Sequence, residues 1–349
     1  MRILVVGGTQ FIGPAVATRL DTLGHAVTVV HRGQHEAELP TTVGHLHGDR
    51  SQLDAMREHL VHLAPEVVVD MAAYTEQDAA HVITAVRGIA RRIVIVSSQD
   101  VYRAYGRLHQ SEPGIPDLVP LTEDAPLRER SYPYRGTGRG LDDYDKILVE
   151  RVESADPSLA PTILRLPMVY GERDTQHRIA LELRRMDDGR PAIFVEERLA
   201  RWRWTRDYVG NVASAIALAA TDDRAIGRTY NVGEPEAPAY GDWLRAIGAA
   251  AGWTGEVVIA PDGTLPEALR PPAADYSQHL VADTSRIQHE LGFLDPVPRH
   301  EALLRTIAWE RSQPAGAYAR PIDYSQEDAL VAGLARLGAA PQQESSYVP

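Results

Sequence analysis

Short apolar runs alternate with segments of helical periodicity through the first half of the chain. The apolar runs predict buried strands at about 2–6, 26–31, 44–47, 66–71, 92–97 and 161–166. The intervening segments predict helices at about 12–23, 51–62, 78–90 and 141–154. Because strands and helices that alternate in this way form parallel sheets with helices on both faces, we predict an α/β protein with a doubly wound parallel sheet.

The second half of the chain has a mixed pattern, which predicts a smaller C-terminal substrate domain. We assign the sheet domain to residues 1–175, with 205–233 returning to it, and the substrate domain to residues 176–204 and 234–312. Residues 313–349 form a peripheral tail, in which Ser325 and Asp328 predict one short helix. Residues 103–140 are rich in proline, glycine and charge, and a loop of that length is usually functional.

The first predicted strand runs into a glycine-rich turn, Gly7-Gly8-Thr9-Gln10-Phe11-Ile12-Gly13. The first glycines allow a tight turn, and the last allows the next helix to pack closely on the strand. The amides at the start of that helix are then free to bind a pyrophosphate. Gln10 replaces the middle glycine of the usual pattern, but the turn keeps its position between a strand and a helix. We therefore predict a dinucleotide site in a Rossmann-type fold.

Composition narrows the possible functions. The absence of cysteine excludes disulfides, thiolate catalysis and cysteine-based metal sites, and the 13 histidines form no H-E-x-x-H motif, so we predict no metal. A net charge of -12 disfavours nonspecific binding to nucleic acid. Apolar runs fall short of the roughly 20 residues of a membrane span, and the N-terminus reads as a core strand rather than a signal peptide. We expect a cytoplasmic protein with a small-molecule substrate.

Further segments follow the glycine turn in a characteristic order. They are His47-Gly48-Asp49, Met71-Ala72-Ala73, Ser97-Ser98-Gln99-Asp100-Val101-Tyr102, Lys146 with Glu150, Leu164-Arg165-Leu166-Pro167-Met168-Val169-Tyr170-Gly171, Arg206-Asp207-Tyr208-Val209, Tyr230-Asn231-Val232-Gly233 and Asp283-Thr284-Ser285. With these segments, residues 1 to about 312 resemble the extended short-chain dehydrogenase/reductases, a family that includes nucleotide-sugar epimerases and dehydratases. The resemblance implies an NAD(P)-dependent oxidoreductase or epimerase that transfers hydride at a carbinol or ketone carbon. It also implies a homodimer.

The resemblance implies a cofactor site built from the glycine turn and the ends of later strands. Its residues are Gly7, Thr9, Gln10, Phe11, Ile12, Gly13, His31, Arg32, Asp49, Arg50, Met71, Ala72, Ala73, Ser97, Lys146, Leu166, Met168 and Val169. NAD sites usually place a carboxylate after the second strand, where this chain has His31-Arg32-Gly33. Since an arginine can pair with a 2′-phosphate, we favour NADP over NAD.

The resemblance also implies roles around the substrate. Ser98 would bind the substrate oxygen, and Lys146 would hold the nicotinamide ribose and tune the acid/base group. The substrate-binding set is Ser98, Gln99, Asp100, Met168, His177 and Arg206, with Arg206 in the position of a phosphate ligand. Gln99 replaces the first residue of the acidic pair of sugar dehydratases, which argues against 4,6-dehydration. Met168 replaces a substrate-binding asparagine, which weakens the case for a nucleotide sugar and leaves other polyol or ketone metabolites open.

The catalytic tyrosine of the family's Y-x-x-x-K motif is absent. Lys146 predicts a tyrosine at position 142, where this chain has Asp142. Tyr144 would point about 200° away from position 142 if both lay on one helix. Three alternatives remain: Asp142 acts as the acid/base, a loop tyrosine such as Tyr132 or Tyr134 enters the site, or the acid/base function is lost.

A second class of function follows from the missing tyrosine. The chain could bind a dinucleotide without turnover and act as a sensor or scaffold. A branch of the wider family with a similar glycine turn binds RNA, but the acidic charge argues against that variant. Turnover of a substrate distinguishes an enzyme from such a binding protein.

Overall fold

The computed structural model describes residues 1–34, 37–314 and 322–338. The strands are β1 Arg2–Val6, β2 Ala26–His31, β3 Gly44–His47, β4 Val67–Asp70, β5 Arg92–Ser98, β6 Ala160–Leu166, β7 Met168–Tyr170, β8 Ala192–Glu196, β9 Arg206–Tyr208, β10 Thr229–Asn231 and β11 Glu256–Ala260. The helices are α1 Ile12–Thr22, α2 Arg57–Leu63, α3 Glu76–Val86, α4 Arg103–Leu108, α5 Lys146–Ser154, α6 Ala180–Asp187, α7 Glu197–Arg201, α8 Val209–Thr221, α9 Tyr240–Ala251, α10 Ser285–Leu291, α11 Arg299–Ser312 and α12 Ser325–Gly338. Short 3-10 turns cover Arg50–Met56, Gln99–Val101, Asp223–Ala225 and Glu267–Leu269.

The main sheet of the described residues has the strand order β10-β6-β5-β4-β1-β2-β3, and its strands are parallel. β1 lies between β2 and β4, so that Ile3 pairs with Val27 on one side and Val67 on the other. The chain thus winds outwards from β1 in both directions, which confirms the predicted Rossmann-type fold. The pairs β7 with β9 and β8 with β11 form two smaller parallel sheets. The division into two domains stays a prediction.

The apolar residues of the central strands alternate between the two faces of the sheet. Ile3 and Val5 belong to the hydrophobic cluster that includes α1 and α8, whereas Leu4 and Val6 belong to the cluster of α3. Each fully buried aliphatic side chain contributes about 1.5–3 kcal/mol of burial free energy. This two-sided core makes the sheet a rigid frame, and the carboxyl ends of its strands lie along one edge.

The helix that carries Lys146 begins later than its predicted start at 141. Asp145 is the N-cap of α5, because its backbone is extended and its carboxylate accepts a hydrogen bond from the Ile147 amide. Leu141 and Tyr144 instead close a turn through the bond from the Tyr144 amide to the Leu141 carbonyl. Residues 141–145 therefore lie outside the helix, and helical spacing does not apply to them.

Two further segments differ from the prediction. The segment 103–140, predicted as a loop, begins with the helix α4. In the predicted tail, α12 extends from Ser325 to Gly338 and docks on α6, where Glu327 accepts a hydrogen bond of 2.8 Å from Arg185. The other tail residues beyond 314, at 315–321 and 339–349, lie outside the described residues.

Candidate active site

A cleft of about 940 Å³ opens along the carboxyl edge of the main sheet. One end is formed by the glycine turn and by residues that follow β2 and β3. The other end lies beyond β5 and includes Ser98, Asp100 and Lys146. In open α/β sheets, ligands bind in such a crevice at the point where the strand order reverses. The cleft therefore has the position expected of a dinucleotide and substrate site.

The glycine turn provides a close-fitting backbone cradle at the first end of the cleft. Gly7 has a φ of +87°, and a Cβ there would lie 2.7 Å from the Cβ of Ala72. A Cβ at Gly13 would lie 2.7 Å from the Gly7 carbonyl oxygen. Only glycine fits at both positions, and the start of α1 faces the cleft through Phe11 and Ile12. This arrangement fits a dinucleotide pyrophosphate.

The ends of β2 and β3 supply polar groups beside the turn. His31 is buried, and its Nε2 lies 2.9 Å from the Nδ1 of His45. Arg32 is exposed and Asp49 lies across from it, both on the cleft wall. Hydrogen bonds from Ser51 lower the pKa of Asp49 below its usual value, with a smaller contribution from the charge of Arg32. This end of the cleft therefore presents a cation and an ionised carboxylate.

Lys146 lies at the opposite end of the cleft, near the end of β5. It is 4% exposed, and its Nζ donates hydrogen bonds of 2.6 Å to the Ala73 carbonyl and 2.8 Å to the Val96 carbonyl. Burial lowers the pKa of Lys146, although nearby carboxylates, Asp70 first, oppose the shift. Lys146 is also the only lysine in the 349 residues.

Glu150 does not pair with Lys146, although their spacing permits such a pair. Its carboxylate instead accepts hydrogen bonds of 3.0 and 2.9 Å from Arg165, and a further one from the Ser97 hydroxyl. These contacts tie α5 to β5 and β6 behind the cleft. Lys146 is therefore free to turn its remaining donor towards the cleft, which it lines.

Asp100 is the centre of a polar cluster beside Lys146. One of its carboxylate oxygens, Oδ2, accepts hydrogen bonds of 3.0 Å from the Tyr134 hydroxyl and 2.9 Å from the Tyr144 hydroxyl. The other, Oδ1, is buried with no hydrogen-bond partner among the described residues. Ser98, which also lines the cleft, accepts a bond from the Asp100 amide, and its side chain lies close enough to Tyr144 to oppose the rise in the pKa of that phenol. Two phenols, one carboxyl group and one serine thus meet in one place.

Burial dominates the electrostatics of this cluster. It raises the pKa of Asp100, against the opposing charge of Arg128 and the bonds from Tyr144 and Tyr134. Burial and the Asp100 charge also raise the pKa of Tyr134 and of Tyr144 above the usual value of 10.0. Both phenols are therefore protonated at neutral pH, and the cluster can donate a proton more readily than it can remove one.

The structure does not bring Asp142 into the cleft. Its side chain is exposed and accepts a hydrogen bond of 2.7 Å from the Gly136 amide. Tyr132 also lies outside the cleft lining, with the Arg135 guanidinium 3.9 Å from its ring centre. Tyr134, in contrast, enters the cleft as the loop alternative predicted. The physical reason is that residues 141–145 are not helical, so position 142 loses its alignment with Lys146.

Three predicted substrate ligands also lie outside the cleft lining. The Gln99 side chain is buried and donates 2.9 Å to the Val232 carbonyl. His177 bonds Glu310 at 2.8 Å, and its ring stacks on Trp309. Arg206 is 2% exposed and packs 4.8 Å from the Trp243 ring centre. Their side chains pack in the core or connect neighbouring elements instead of facing the cleft.

Most other predicted residues do line the cleft. They are Gly7, Thr9, Gln10, Phe11, Ile12, His31, Arg32, Asp49, Arg50, Met71, Ala72, Ser97, Ser98, Asp100, Tyr134, Lys146, Leu166, Met168 and Val169. Gly13 and Ala73 contribute through backbone packing and through the carbonyl that Lys146 binds. The functional roles of all these residues stay predictions.

Several residues of the cleft were missed by sequence reasoning. They are Tyr74, Tyr105, His109, Arg139 and Tyr144. For Tyr144 a usable signal existed, because an aspartate at position 145 is a good N-cap and would have moved the helix start to Lys146. The other residues belong to segments in which the apolar residues show no clear strand or helix periodicity.

The fold and the cleft define a Rossmann-type protein with a dinucleotide site. The family model for the NAD dependent epimerase/dehydratase family matches residues 3–233. The chain therefore belongs to this family of NAD-dependent enzymes, as the resemblance predicted. Among the described residues, no helix combines the length and the apolar character needed to cross a bilayer.

Three of the proteins that are similar to this chain illustrate the comparison. The chain is 26% identical over 307 residues to 2'-dehydrokanamycin reductase of Streptomyces kanamyceticus, which covers 84% of this chain and 78% of that protein. UDP-glucose 4-epimerase of Thermotoga maritima, solved with UDP-glucose, is 20% identical with a TM-score of 0.68 and covers 89% of this chain and 99% of its own. The Bordetella bronchiseptica enzyme WbmG, solved with NAD and UDP, is 17% identical with a TM-score of 0.69 and covers 93% and 99%. At these identities the solved structures support the fold alone.

Proposed function

We propose that the protein is an NAD(P)-dependent oxidoreductase that reduces a ketone, or oxidises the matching carbinol, on a sugar-like or polyol metabolite. The observation that carries this proposal is the cluster at one end of the cleft. There Ser98, Lys146 and the two phenols on Asp100 surround a space continuous with the glycine turn. The nicotinamide, when bound, supplies or accepts the hydride, so the chain must bind the substrate oxygen and manage its proton.

Each residue at this end has a defined task in that chemistry. The Ser98 hydroxyl lies on the cleft wall and can donate to the substrate oxygen. Lys146 is anchored on two backbone carbonyls, and its remaining donor would orient the ribose of the cofactor. A phenol of the Asp100 cluster would provide the proton for the new hydroxyl group. Asp142 has no part in this scheme, because its carboxylate is exposed and bonded to Gly136.

We favour a substrate without a nucleoside diphosphate. The family resemblance implies that Arg206 binds a substrate phosphate. In the structure, however, Arg206 is buried against Trp243 and does not line the cleft. Aromatic groups, Tyr105 and Trp204, line this end instead, and they suit the apolar face of a ring. The reductase from Streptomyces kanamyceticus supports this choice, since its name gives 2'-dehydrokanamycin as the substrate.

We also favour NADP over NAD. Arg32 lies on the cleft wall just beyond β2, where its guanidinium is exposed and available to a 2′-phosphate. WbmG and WbmH of Bordetella bronchiseptica are solved with NAD, so the proposed NADP preference depends on Arg32 of the present chain. A homodimer and a cytoplasmic location likewise stay predictions.

The test is titration with NADPH and NADH by nicotinamide fluorescence, followed by a panel of ketones. The panel contains keto forms of free sugars, cyclitols and glycosides, together with nucleotide sugars as the competing class. We expect NADPH to bind and to be oxidised with a free ketone. Failure to bind either nucleotide would refute the proposal. Binding without oxidation by any ketone would favour the alternative function of a dinucleotide sensor, which the replacement of the motif tyrosine by Asp142 supports.

A further inference from the structure

We propose that Tyr144 is the proton donor to the substrate oxygen and that Asp100 and Tyr134 form a proton-transfer chain that reprotonates it. This inference rests on the proposed oxidoreductase function and assigns the proton-handling step within it. It replaces the motif position 142 by a tyrosine two residues before the lysine. It also adds a carboxyl group, Asp100, as the proton carrier behind the donor.

The backbone around Tyr144 places its ring in the cleft. Because Asp145 is the N-cap of α5, Tyr144 lies outside the helix, and its hydroxyl reaches Asp100 just after β5. Its ring lies between those of Tyr74 and Tyr134, with centre distances of 5.9 and 5.2 Å. These neighbours hold the phenol in place without a covalent or helical constraint.

The partners of the Tyr144 hydroxyl distinguish it from Tyr134. Tyr144 donates 2.9 Å to Asp100, and it also lies close enough to Ser98, the residue that would bind the substrate oxygen, for the serine side chain to oppose the rise in the pKa of the phenol. Tyr134 meets the same carboxylate oxygen of Asp100 at 3.0 Å and comes from the loop that precedes the glycine-rich segment 136–140. Tyr144 is therefore the phenol next to the reacting atoms, and Tyr134 is one step behind it.

Asp100 has the surroundings of a proton carrier rather than of a surface carboxylate. It is 5% exposed, and its Oδ1 has no hydrogen-bond partner among the described residues. An ionised carboxylate with an unpaired buried oxygen is unfavourable, whereas a protonated one is tolerated. Burial accordingly raises the pKa of Asp100. Arg128 bonds the Asp100 backbone carbonyl at 2.6 Å and fixes the turn that carries the side chain.

The proton steps balance during reduction. The carbonyl carbon accepts hydride from the reduced nicotinamide, and the carbonyl oxygen takes the proton of the Tyr144 hydroxyl. The phenolate left on Tyr144 takes the proton of the Asp100 carboxyl group. The Asp100 carboxylate then takes the Tyr134 proton in the same step in which Tyr134 takes one from a hydronium ion of the solvent, so that no Tyr134 phenolate forms. The net reaction consumes one hydride and one solvent proton for each new hydroxyl group.

The first test compares matched phenylalanine variants, Tyr144→Phe and Tyr134→Phe, with Tyr132→Phe as the control from the same loop. We expect Tyr144→Phe to lower kcat for ketone reduction by about 10²- to 10⁴-fold, the range of general acid catalysis. Tyr134→Phe should lower kcat less, and mainly at high pH where protons are scarce. NADPH affinity should stay within about twofold in all three variants, since only the proton path is changed.

The second test separates proton transfer from simple positioning. Asp100→Asn keeps the shape of the side chain but cannot carry the proton, so kcat should fall and lose its dependence on pH in the range where Asp100 titrates. A merely structural aspartate would lower kcat equally at each pH. The melting temperature of each variant verifies that the fold is kept.

The third test needs no substrate. In the apo protein labelled with ¹³C at the aspartate carboxyl carbons, the Asp100 resonance, assigned by Asp100→Asn, should titrate above the usual value of 3.8. Each phenylalanine variant should raise that pKa further, because a hydrogen bond to the carboxylate is lost. An unshifted Asp100 in all three proteins would overturn the inference.

The outcomes distinguish the two proposals. If the wild-type protein oxidises NADPH with a ketone but Tyr134→Phe loses more activity than Tyr144→Phe, the proton-donor assignment is wrong and the proposed function stands. If the wild-type protein turns over no ketone, the proposed function fails and the donor role of Tyr144 fails with it, whereas the Asp100 titration still reports whether the cluster exists.

Discussion

The two ends of the cleft are built in different ways. The glycine-turn end comes from one contiguous segment, 7–13, and its shape is set by backbone packing. The Asp100 end is assembled from separate stretches of chain, namely the end of β5, the loop at Tyr134 and the residues that precede α5. The first end requires glycine at fixed positions, whereas the second forms where side chains from separate segments come into contact.

This difference decides which changes each end tolerates. At Gly13 an added Cβ would meet the backbone of Gly7 and Gly8, which cannot move without shifting β1 or α1, and at Gly7 it would meet the side chain of Ala72. At the Asp100 end, a tyrosine from either of two segments can place its hydroxyl on Asp100, because the chemistry depends on the position of the hydroxyl and not on the segment that carries it. A Rossmann-type enzyme can therefore lose the motif tyrosine and keep a phenol beside its serine.

The largest effect is expected at the Asp100 end of the cleft, from the substitution Lys146→Met. This change removes the donor to two buried carbonyls, at a cost of about 1–3 kcal/mol for each unsatisfied group. It also removes the ammonium that would orient the cofactor. Thermal or denaturant unfolding should show the loss of stability, and stopped-flow oxidation of NADPH should show the loss of turnover.

Because Lys146 is the only lysine, its own NMR signal provides the control. Protein labelled with ¹³C at lysine Cε should show one such side-chain resonance, and Lys146→Met should remove it. In the wild type this resonance should titrate below the usual 10.5, because burial disfavours the charged ammonium. An unshifted titration would mean that Lys146 is solvated, and the two carbonyl bonds would then have little energetic weight.

Gly13→Ala should give the second largest effect and tests the glycine-turn end. The new Cβ would lie 2.7 Å from the Gly7 carbonyl and 2.8 Å from the Gly8 Cα, and such overpacking costs about 1–3 kcal/mol. NADPH affinity should fall together with the free energy of unfolding. Fluorescence titration and chemical denaturation measure the two quantities.

Gly333→Ala is the matched control for that change. Gly333 also lies in a helix, α12, but a Cβ there meets no atom of the described residues within 4 Å apart from the backbone of its own helix. Since alanine favours helix more than glycine does, this variant should be as stable as the wild type or slightly more so. Equal losses in both glycine variants would refute the close-packing explanation of the turn.

The same contrast explains how far the sequence could be interpreted. The parallel strands and the glycine turn were predictable because alternation and backbone demands are local. The position of Tyr144 was missed because one capping residue, Asp145, moves the helix start by several positions and turns the ring towards Ser98. The burial of Arg206 depends on Trp243, which lies far along the chain.

A smaller effect is expected from Arg32→Ala, which tests the cofactor preference. The guanidinium is exposed, so its pairing with a 2′-phosphate is worth about 1 kcal/mol or less in salt solution. The ratio of NADPH to NADH affinity should fall by roughly fivefold or less, with NADH affinity unchanged. Parallel fluorescence titrations measure this ratio. An equal loss of affinity for both nucleotides would show that Arg32 stabilises the site without contacting the 2′-phosphate.

The smallest effect is expected from Asp142→Asn, at the position where the motif places the catalytic residue. Its exposed carboxylate accepts one hydrogen bond from the Gly136 amide, and an asparagine oxygen can accept the same bond. Turnover, NADPH affinity and melting temperature should therefore stay within error of the wild type. A loss of kcat approaching that of Tyr144→Phe would mean that the segment 131–145 closes over the cleft during catalysis and brings Asp142 to the substrate. In that case the two ends of the cleft would be less different than their structures indicate, because a motif position would have kept its function without its helix.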